Sequence, residues 1–326
     1  MQPFITDISK VMTEQPFIFN QIHIEAARNA SDDFNLFHDK HKWLQITHNP
    51  FKGPIVLGFQ LNAMIEYQLY LYRNAHHENR IISENGLRFS NYQITYVNAV
   101  RPDRELFLDI KKTINKTIPE LTLSNRIAIK SDNKIVLLGS KKETQKPLFL
   151  ADTDLSSLPD LNALAECSRV PGSDFFLKRK IVNNGNAKNF LSGSLAEQSD
   201  YFDEIDGLAE YPEMFPCSLT SGALLKKAQI EDQHDFKRNP MVYTSHSLSV
   251  NREHLRLLKN NHKLHILVKQ LPESKSRTLN NTDIMLRVYE CYGLLENAKV
   301  LFRARLCLVP LEKLLNGLNN RQSQKT

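Results

Sequence analysis

Asp33 and His38 stand five residues apart in Ala30-Ser31-Asp32-Asp33-Phe34-Asn35-Leu36-Phe37-His38, with the carboxamide of Asn35 between them. A carboxylate can hold or remove one proton while a neutral imidazole handles a second. Together such a pair can activate water, adding it across a double bond or taking it away. The same letters also spell a plain structural device, because Ser-Asp-Asp is an ordinary helix N-cap and a following His can be a surface residue. The residues downstream decide between the two.

After the His the chain runs Gly53-Pro54-Ile55-Val56-Leu57-Gly58-Phe59-Gln60-Leu61, then through Asn62-Ala63-Met64-Ile65-Glu66-Tyr67-Gln68-Leu69 in an apolar helical pattern. In this order the segment resembles the MaoC-like branch of the hot-dog fold, the (R)-specific enoyl-CoA hydratases and 3-hydroxyacyl thioester dehydratases. Their motif reads approximately Ser-Gly-Asp-x-Asn-Pro-x-His, followed by an Ile-Val-His-Gly-like turn into a central helix. The resemblance places Asp33 and His38 on the catalytic pair, Asn35 on the supporting amide and Gly58 on the glycine that opens the helix. Asp32, Leu36 and Leu57 stand where that family usually has Gly, Pro and His. Asp32 puts a second carboxylate beside the first, either as a charge acting on Asp33 or as the N-cap of the short helix that carries His38.

Hydration of a trans-2-enoyl thioester needs a base for water, an acid for the α carbon and a dipole for the thioester oxygen. The resemblance implies that Asp33 and His38 share the water and the proton, while Asn35 orients the loop or the water. The N–H of Gly58, at the positive end of the following helix, would face the oxygen where enolate charge develops. A glycine there would allow close backbone approach. Leu57, Tyr96 and Val97 are expected to line the substrate pocket, and Trp43, the only tryptophan, to cap it. Core packing would use Tyr96, Val97, Val100 and Pro102 equally well, and a Trp after such a loop also serves as an anchor. His41 and His48 have no partner in any motif.

The same unit is written twice. In the first half an apolar helical segment from Pro54 to about Tyr72 precedes strand-like runs at Leu87–Val97, Leu106–Ile114, Leu121–Ile129 and Ile135–Ser140, with Ser131-Asp132-Asn133-Lys134 as the turn between the last two. In the second half Lys180-Ile181-Val182 leads to Ala187–Ser194, Pro212 opens another apolar helix, and runs follow at Met241–Val250, Leu264–Leu271, Ile284–Tyr292 and Val300–Val309. Pairing Ser31 with Ser192 and Pro54 with Pro212 sets Ser194, Ala196 and Ser199 opposite Asp33, Asn35 and His38, and Pro216 opposite Gly58. On that alignment the second unit lacks acid, base and helix-start donor. The expected architecture is α+β, a double hot-dog of two antiparallel sheets, each wrapped around a long central helix and joined as a pseudo-dimer. Residues 1–150 would form the catalytic unit, 151–170 a linker, 171–314 a degenerate unit and 315–326 a polar tail.

Composition narrows the partners. A chain of 326 residues with 41% hydrophobic and 24% charged residues is ordinary for one large or two medium globular domains. It has no apolar run long enough to cross a bilayer, and Met-Gln-Pro-Phe-Ile-Thr-Asp lacks a basic region followed by an apolar core, so a cytoplasmic protein is expected. Cys167, Cys217, Cys291 and Cys307 have no close pairing, and neither His76-His77-Glu78 nor His41 with His48 makes a ligand grid. No metal and no dissociable cofactor are expected. A net charge of +6 and a pI near 9.0 suit an acidic partner, without a nucleic-acid-binding signature. An acyl thioester of coenzyme A or of acyl carrier protein fits, with Lys111-Lys112, Lys141-Lys142 and Lys178-Arg179-Lys180 as candidates to meet it; a homodimer is compatible. The resulting reading is reversible hydration of a 2-enoyl thioester or dehydration of a 3-hydroxyacyl thioester. Its rivals are a non-catalytic acyl-binding or partner subunit, and a hot-dog thioesterase using Glu66 on the central helix.

Overall fold

Two runs of elements follow one order. The computed structural model describes residues 10–12, 15–277 and 283–313; the expected polar tail 315–326 lies outside them. The first run holds β1 (Lys10–Met12), β2 (Phe17–Ile18), α1 (Gln21–Ser31), the 3-10 turns Leu36–His38 and Lys42–Gln45, the central helix α2 (Gly58–Ala75) and α3 (Glu78–Glu84). Then come β3 (Phe89–Tyr96), β4 (Glu105–Lys111), β5 (Ile114–Lys116), β6 (Thr122–Ser131) and β7 (Lys134–Thr144). The second run holds β8 (Ser168–Arg169), β9 (Phe176–Ile181), α4 (Asn184–Gly193), the 3-10 turn Gln198–Asp200, β10 (Phe202–Asp203), β11 (Leu208–Ala209) and the central helix α5 (Met214–Ile230). It ends with β12 (Met241–Asn251), α6 (Arg252–Leu255), β13 (Lys263–Gln270), β14 (Ser274–Arg277), β15 (Asp283–Leu295) and β16 (Val300–Pro310). None of the described helices is long and apolar enough to cross a membrane.

Apart from the two-stranded ribbon β10-β11, the described strands form one continuous antiparallel sheet along the order β1-β4-β6-β7-β3-β12-β16-β15-β13-β9-β8, which corrects the expectation of two sheets joined as a pseudo-dimer. The two halves meet at β3 and β12, paired from Ser245 opposite Thr95 to Asn251 opposite Phe89. Alternation alone cannot locate such a seam, because an unpaired edge strand and an internal one carry the same period-two pattern. The turn between β6 and β7 places both Asp132 and Asn133 at positive φ, the type I′ geometry that those residues favour.

Both central helices are buried on every side. Residues Phe59 through Tyr67 of α2 and Met214 through Leu224 of α5 are buried without a break, so each helix is enclosed rather than laid on a surface. Pro216 falls in the first turn of α5, where a missing N–H costs no helical bond. Polar side chains inside these helices, Gln60, Asn62 and Glu66, therefore need partners inside the protein.

A buried ion cluster joins the halves near the seam. Glu143, fully buried, bonds Arg73 from the first half and Arg252 from the second and lies 3.4 Å from Lys141. Burial alone would raise its pKa, but Arg252, Arg73 and Lys141 outweigh it and hold the carboxyl well below its usual range. The segment after β7 packs leucines onto the outer face of the second half, where Leu155, Leu158, Leu161 and Leu164 meet Leu267, Tyr292 and Leu294. It is thus a small core layer as well as a connection.

Candidate active site

The site begins where α1 ends. Asp32 closes that helix in the left-handed region, φ 52°, with its N–H donating to Asn29 O at 3.3 Å and that of Asp33 to Arg28 O at 3.0 Å. This conformation favours Gly and tolerates Asp, which accounts for a Gly in the related motif. The Asp32 carboxylate turns outward to bond Lys180 on β9, so Asp32 is a helix C-cap, not the N-cap of the turn carrying His38. Asn35 takes that part: its Oδ1 accepts from Phe37 N at 3.2 Å, and its own N–H donates to Asp33 Oδ1 at 3.0 Å. Asp33 and His38 are consequently held inward, 4% and 6% exposed.

His38 Nδ1 lies 2.8 Å from Ile55 O. A carbonyl only accepts, which assigns the proton to Nδ1 and leaves the Nε2 lone pair free to act as a base. Burial lowers the His38 pKa; the nearby Asp33 carboxylate and the Ile55 carbonyl pull the other way without overcoming it, and Arg28 adds to the lowering. The imidazole is therefore neutral near pH 7. Ile55 N bonds Phe37 O at 2.9 Å and Val56 N bonds Val100 O at 2.8 Å, so the strand-like stretch is fixed on two sides and delivers Leu57 as the last residue before α2. Gly58 is the first helical residue, where an N–H has no partner within the helix.

Gly58 is also closely packed by the protein itself. A Cβ there would lie 3.0 Å from Tyr96 Cζ and Oη and 3.5 Å from His246 Cε1, so protein side chains fill that space. Tyr96 Oη donates to Asn62 Oδ1 at 2.9 Å, and Asn62 Nδ2 lies 3.1 Å from His246 Nδ1. With the Asn62 amide so oriented its N–H donates to Nδ1, which assigns the remaining imidazole proton to Nε2, a buried atom with no hydrogen-bond partner. Burial pushes the His246 pKa down to about 3, so it too is neutral. Nearby, Tyr243 Oη pairs with Ser221 Oγ at 3.1 Å; burial and then the Asp33 charge raise the Tyr243 pKa. His246, Tyr243 and Ser221 all come from the second half, and no motif pointed to them. Asn62 could have been suspected as a polar residue in a helix buried all round.

The remaining expected residues separate. Leu57 is core, 2% exposed, its N–H bonded to Gln60 Oε1 at 3.3 Å. Val97 is held at the end of β3 by its N–H to Val136 O at 2.8 Å. Half-buried Trp43 borders a cleft of about 490 Å³ with Lys52, Gly53, Pro54, Arg101 and Arg104, at the outer end of the loop that leads to Gly58. No cluster of three His, Cys, Asp or Glu side chains among the described residues could hold a metal ion.

The second unit's counterpart corrects the sequence alignment. Ala196 repeats the Asp33 turn by donating its N–H to Leu191 O at 3.0 Å, and Glu197 repeats Asn35 as the cap of a 3-10 turn that ends at Asp200. Ala196, Glu197 and Asp200, rather than Ser194, Ala196 and Ser199, therefore take the places of Asp33, Asn35 and His38. Met214, rather than Pro216, takes that of Gly58. The helix-start donors are present and occupied: Glu213 N and Met214 N donate to the two carboxylate oxygens of Glu66 at 2.6 and 2.8 Å. Asp200 accepts from Tyr67 Oη at 2.7 Å.

No family model and no characterised sequence matches the chain. Solved structures do. One described as a MaoC-like dehydratase aligns over 93% of this chain and 97% of its own at a TM-score of 0.56 and 9% identity. A Mycobacterium tuberculosis protein described as having a double hotdog fold aligns over 92% and 95%, with a TM-score of 0.53 and 9% identity. The full-length peroxisomal multifunctional enzyme type 2 of Drosophila melanogaster aligns over 92% of this chain and 48% of its own, at 0.51 and 9%. At such identities the likeness is one of architecture, and the architecture is the α+β double hot-dog.

Proposed function

We propose that the chain hydrates a 2-enoyl thioester, reversibly, at the Asp33–His38 turn. The observation that carries this reading is the pairing of a buried carboxylate with a neutral imidazole whose Nδ1 is committed to Ile55 O, one short segment ahead of the Gly58 helix start. In the hydration direction His38 Nε2 takes a proton from water as the water oxygen bonds the β carbon. The π electrons move toward the thioester oxygen, which the Gly58 N–H and the positive helix end stabilise. The α carbon then takes a proton from the same pair, and Asp33 balances the charge on the imidazolium meanwhile. Hydroxyl on one carbon and hydrogen on the next sum to water, and both side chains return to their starting states. A coenzyme A thioester suits the cleft beside Trp43, where Lys52, Arg101 and Arg104 offer positive charge to phosphates. The thioesterase alternative loses its base, since Glu66 is held at the start of α5.

The test is turnover of 2-enoyl-CoA and of the matching 3-hydroxyacyl-CoA by the full chain. Asp33→Asn and His38→Ala are each expected to lower kcat by roughly 10²–10⁴ with little change in substrate binding. Wild-type turnover in both variants overturns the assignment of the chemistry to this pair, and no turnover of either thioester by the parent overturns the reading in favour of a non-catalytic acyl-binding subunit.

A further inference from the structure

The second half carries a cavity on the face of the sheet turned away from the central helices. Leu264, Ile266 and Val268 of β13 and Phe302 and Ala304 of β16 point into the main core, so the alternate residues His265, Leu267 and Arg303 point the other way. The segment 153–162 lies over them and encloses about 460 Å³, within the range of small-molecule sites. Arg179 fixes this cover, its Nη2 donating to the carbonyls of Leu161, Asn162 and Leu164.

The lining is sorted by chemistry. Two nitrogen-bearing side chains belong to the floor. His265, 1% exposed, has an Nε2 with no hydrogen-bond partner, and Arg303, half-buried, has a partnerless Nε and pairs with no carboxylate among the described residues. A guanidinium taken partly out of water without a counter-charge is costly, and burial lowers its pKa accordingly. Apolar walls come from Leu155, Leu158 and Leu294. Asp154, Asp160 and Glu296 are exposed at the rim, each holding a backbone N–H, of Ser156, Asn162 and Lys263 respectively. One unpaired cation calls for one negative charge, three rim carboxylates repel anything carrying several, and the leucines call for hydrocarbon.

We propose that this cavity binds a small organic monocarboxylate with an apolar body, its carboxylate on Arg303 and His265 and its hydrocarbon against Leu155, Leu158 and Leu294. The site is independent of the thioester chemistry, since it lies across the sheet from α5. Calorimetric titration of the full chain with hexanoate, up to about 10 mM, is expected to give one saturable site per chain. Arg303→Gln should weaken binding at least tenfold and His265→Asn severalfold, while Arg303→Lys, which keeps the charge, retains most of it. Hexanol and AMP should not saturate, the first lacking the charge and the second carrying too much. Thermal midpoints of the variants control for folding, and any turnover of thioester should be unchanged by Arg303→Gln. Absence of saturable hexanoate binding to the parent overturns the proposal. So does equal affinity in Arg303→Gln, which would place the ligand elsewhere, or hexanol binding as well as hexanoate.

Discussion

Two helix starts, Gly58 in the first half and Met214 in the second, occupy corresponding places in the repeated unit and have opposite fates. At Gly58 a glycine meets a neutral polar trio, Tyr96, Asn62 and His246, with Asp33 and His38 on the preceding loop. At Met214 the donors are saturated by Glu66, which reaches across from α2, and around it lie Glu213, Lys141 and Tyr92. The residue of α5 matching Glu66 is Gly222. It has no side chain to return the gesture, and a Cβ there would come within 2.7 Å of Asp32 O. The donors at Met214 are thus present and filled, by a carboxyl from the molecule's own other half.

The comparison breaks most completely if the halves can live apart. A chain ending near Pro147 would expose β3, seven of whose residues pair with β12, and strip Glu66 and Glu143 of their second-half partners. It is expected to aggregate or self-associate in size-exclusion chromatography, and a stable monomer would refute the seam as an obligate contact.

The next test sharpens the comparison at Met214. Glu66→Ala leaves two buried N–H groups unpaired and a hole beside them, an expected loss of about 2–4 kcal/mol in denaturant unfolding. Turnover per folded molecule should fall no more than a fewfold, because the chemistry proposed above lies at the other helix start. Burial and then Glu213 hold the Glu66 pKa up to about 8, against the pull of Lys141 and the two N–H donors. A carboxyl raised in the folded state stabilises fully below its unfolded pKa, and that contribution is lost as pH rises through the folded value. The wild-type thermal midpoint should therefore fall more than that of Glu66→Gln between about pH 5 and about pH 8.5. Glu143, shifted the opposite way, keeps its contribution above the unfolded carboxyl value and loses it progressively as pH falls below that, under this window.

The smallest effect is expected on the other side of the comparison, at Asp32. Asp32→Gly relieves a left-handed residue and removes an ion pair to Lys180, terms that nearly cancel, so stability should change by less than about 1 kcal/mol. Its rate–pH profile should stay that of the parent. A shifted acid limb would mean that Asp32 acts on Asp33 electrostatically after all.

The contrast also marks what the letters could convey. Strand positions were legible to within a few residues, because a period of two survives any tertiary context: Val300–Val309 was expected and Val300–Pro310 is found. The Asp33, Asn35 and His38 turn was legible because its hydrogen bonds are local. The alignment of the second unit failed by one to two residues, since a loop deletion beside Glu197 leaves no periodic trace. His246 was illegible as a site residue, and Glu66 was read only as a thioesterase base, not as the partner of the α5 helix start. Each acts on the unit opposite its own, and only the pairing of β3 with β12 and the packing of α2 beside α5 bring them there.

That pairing carries one more consequence. Were the two units separate chains, the ladder at β3 and β12 would form by collision, and its occupancy would fall with dilution. Tethered by one polypeptide, the strands meet at an effective concentration set by the connecting segment, whatever the amount of protein present. The joint, which already shares one apolar core through Tyr92, Ile94, Leu248 and Val250, can then also carry ions and side-chain amides, as Asn91 with Ser249 and Glu143 with Arg252 are, without risk of coming apart in a scarce protein.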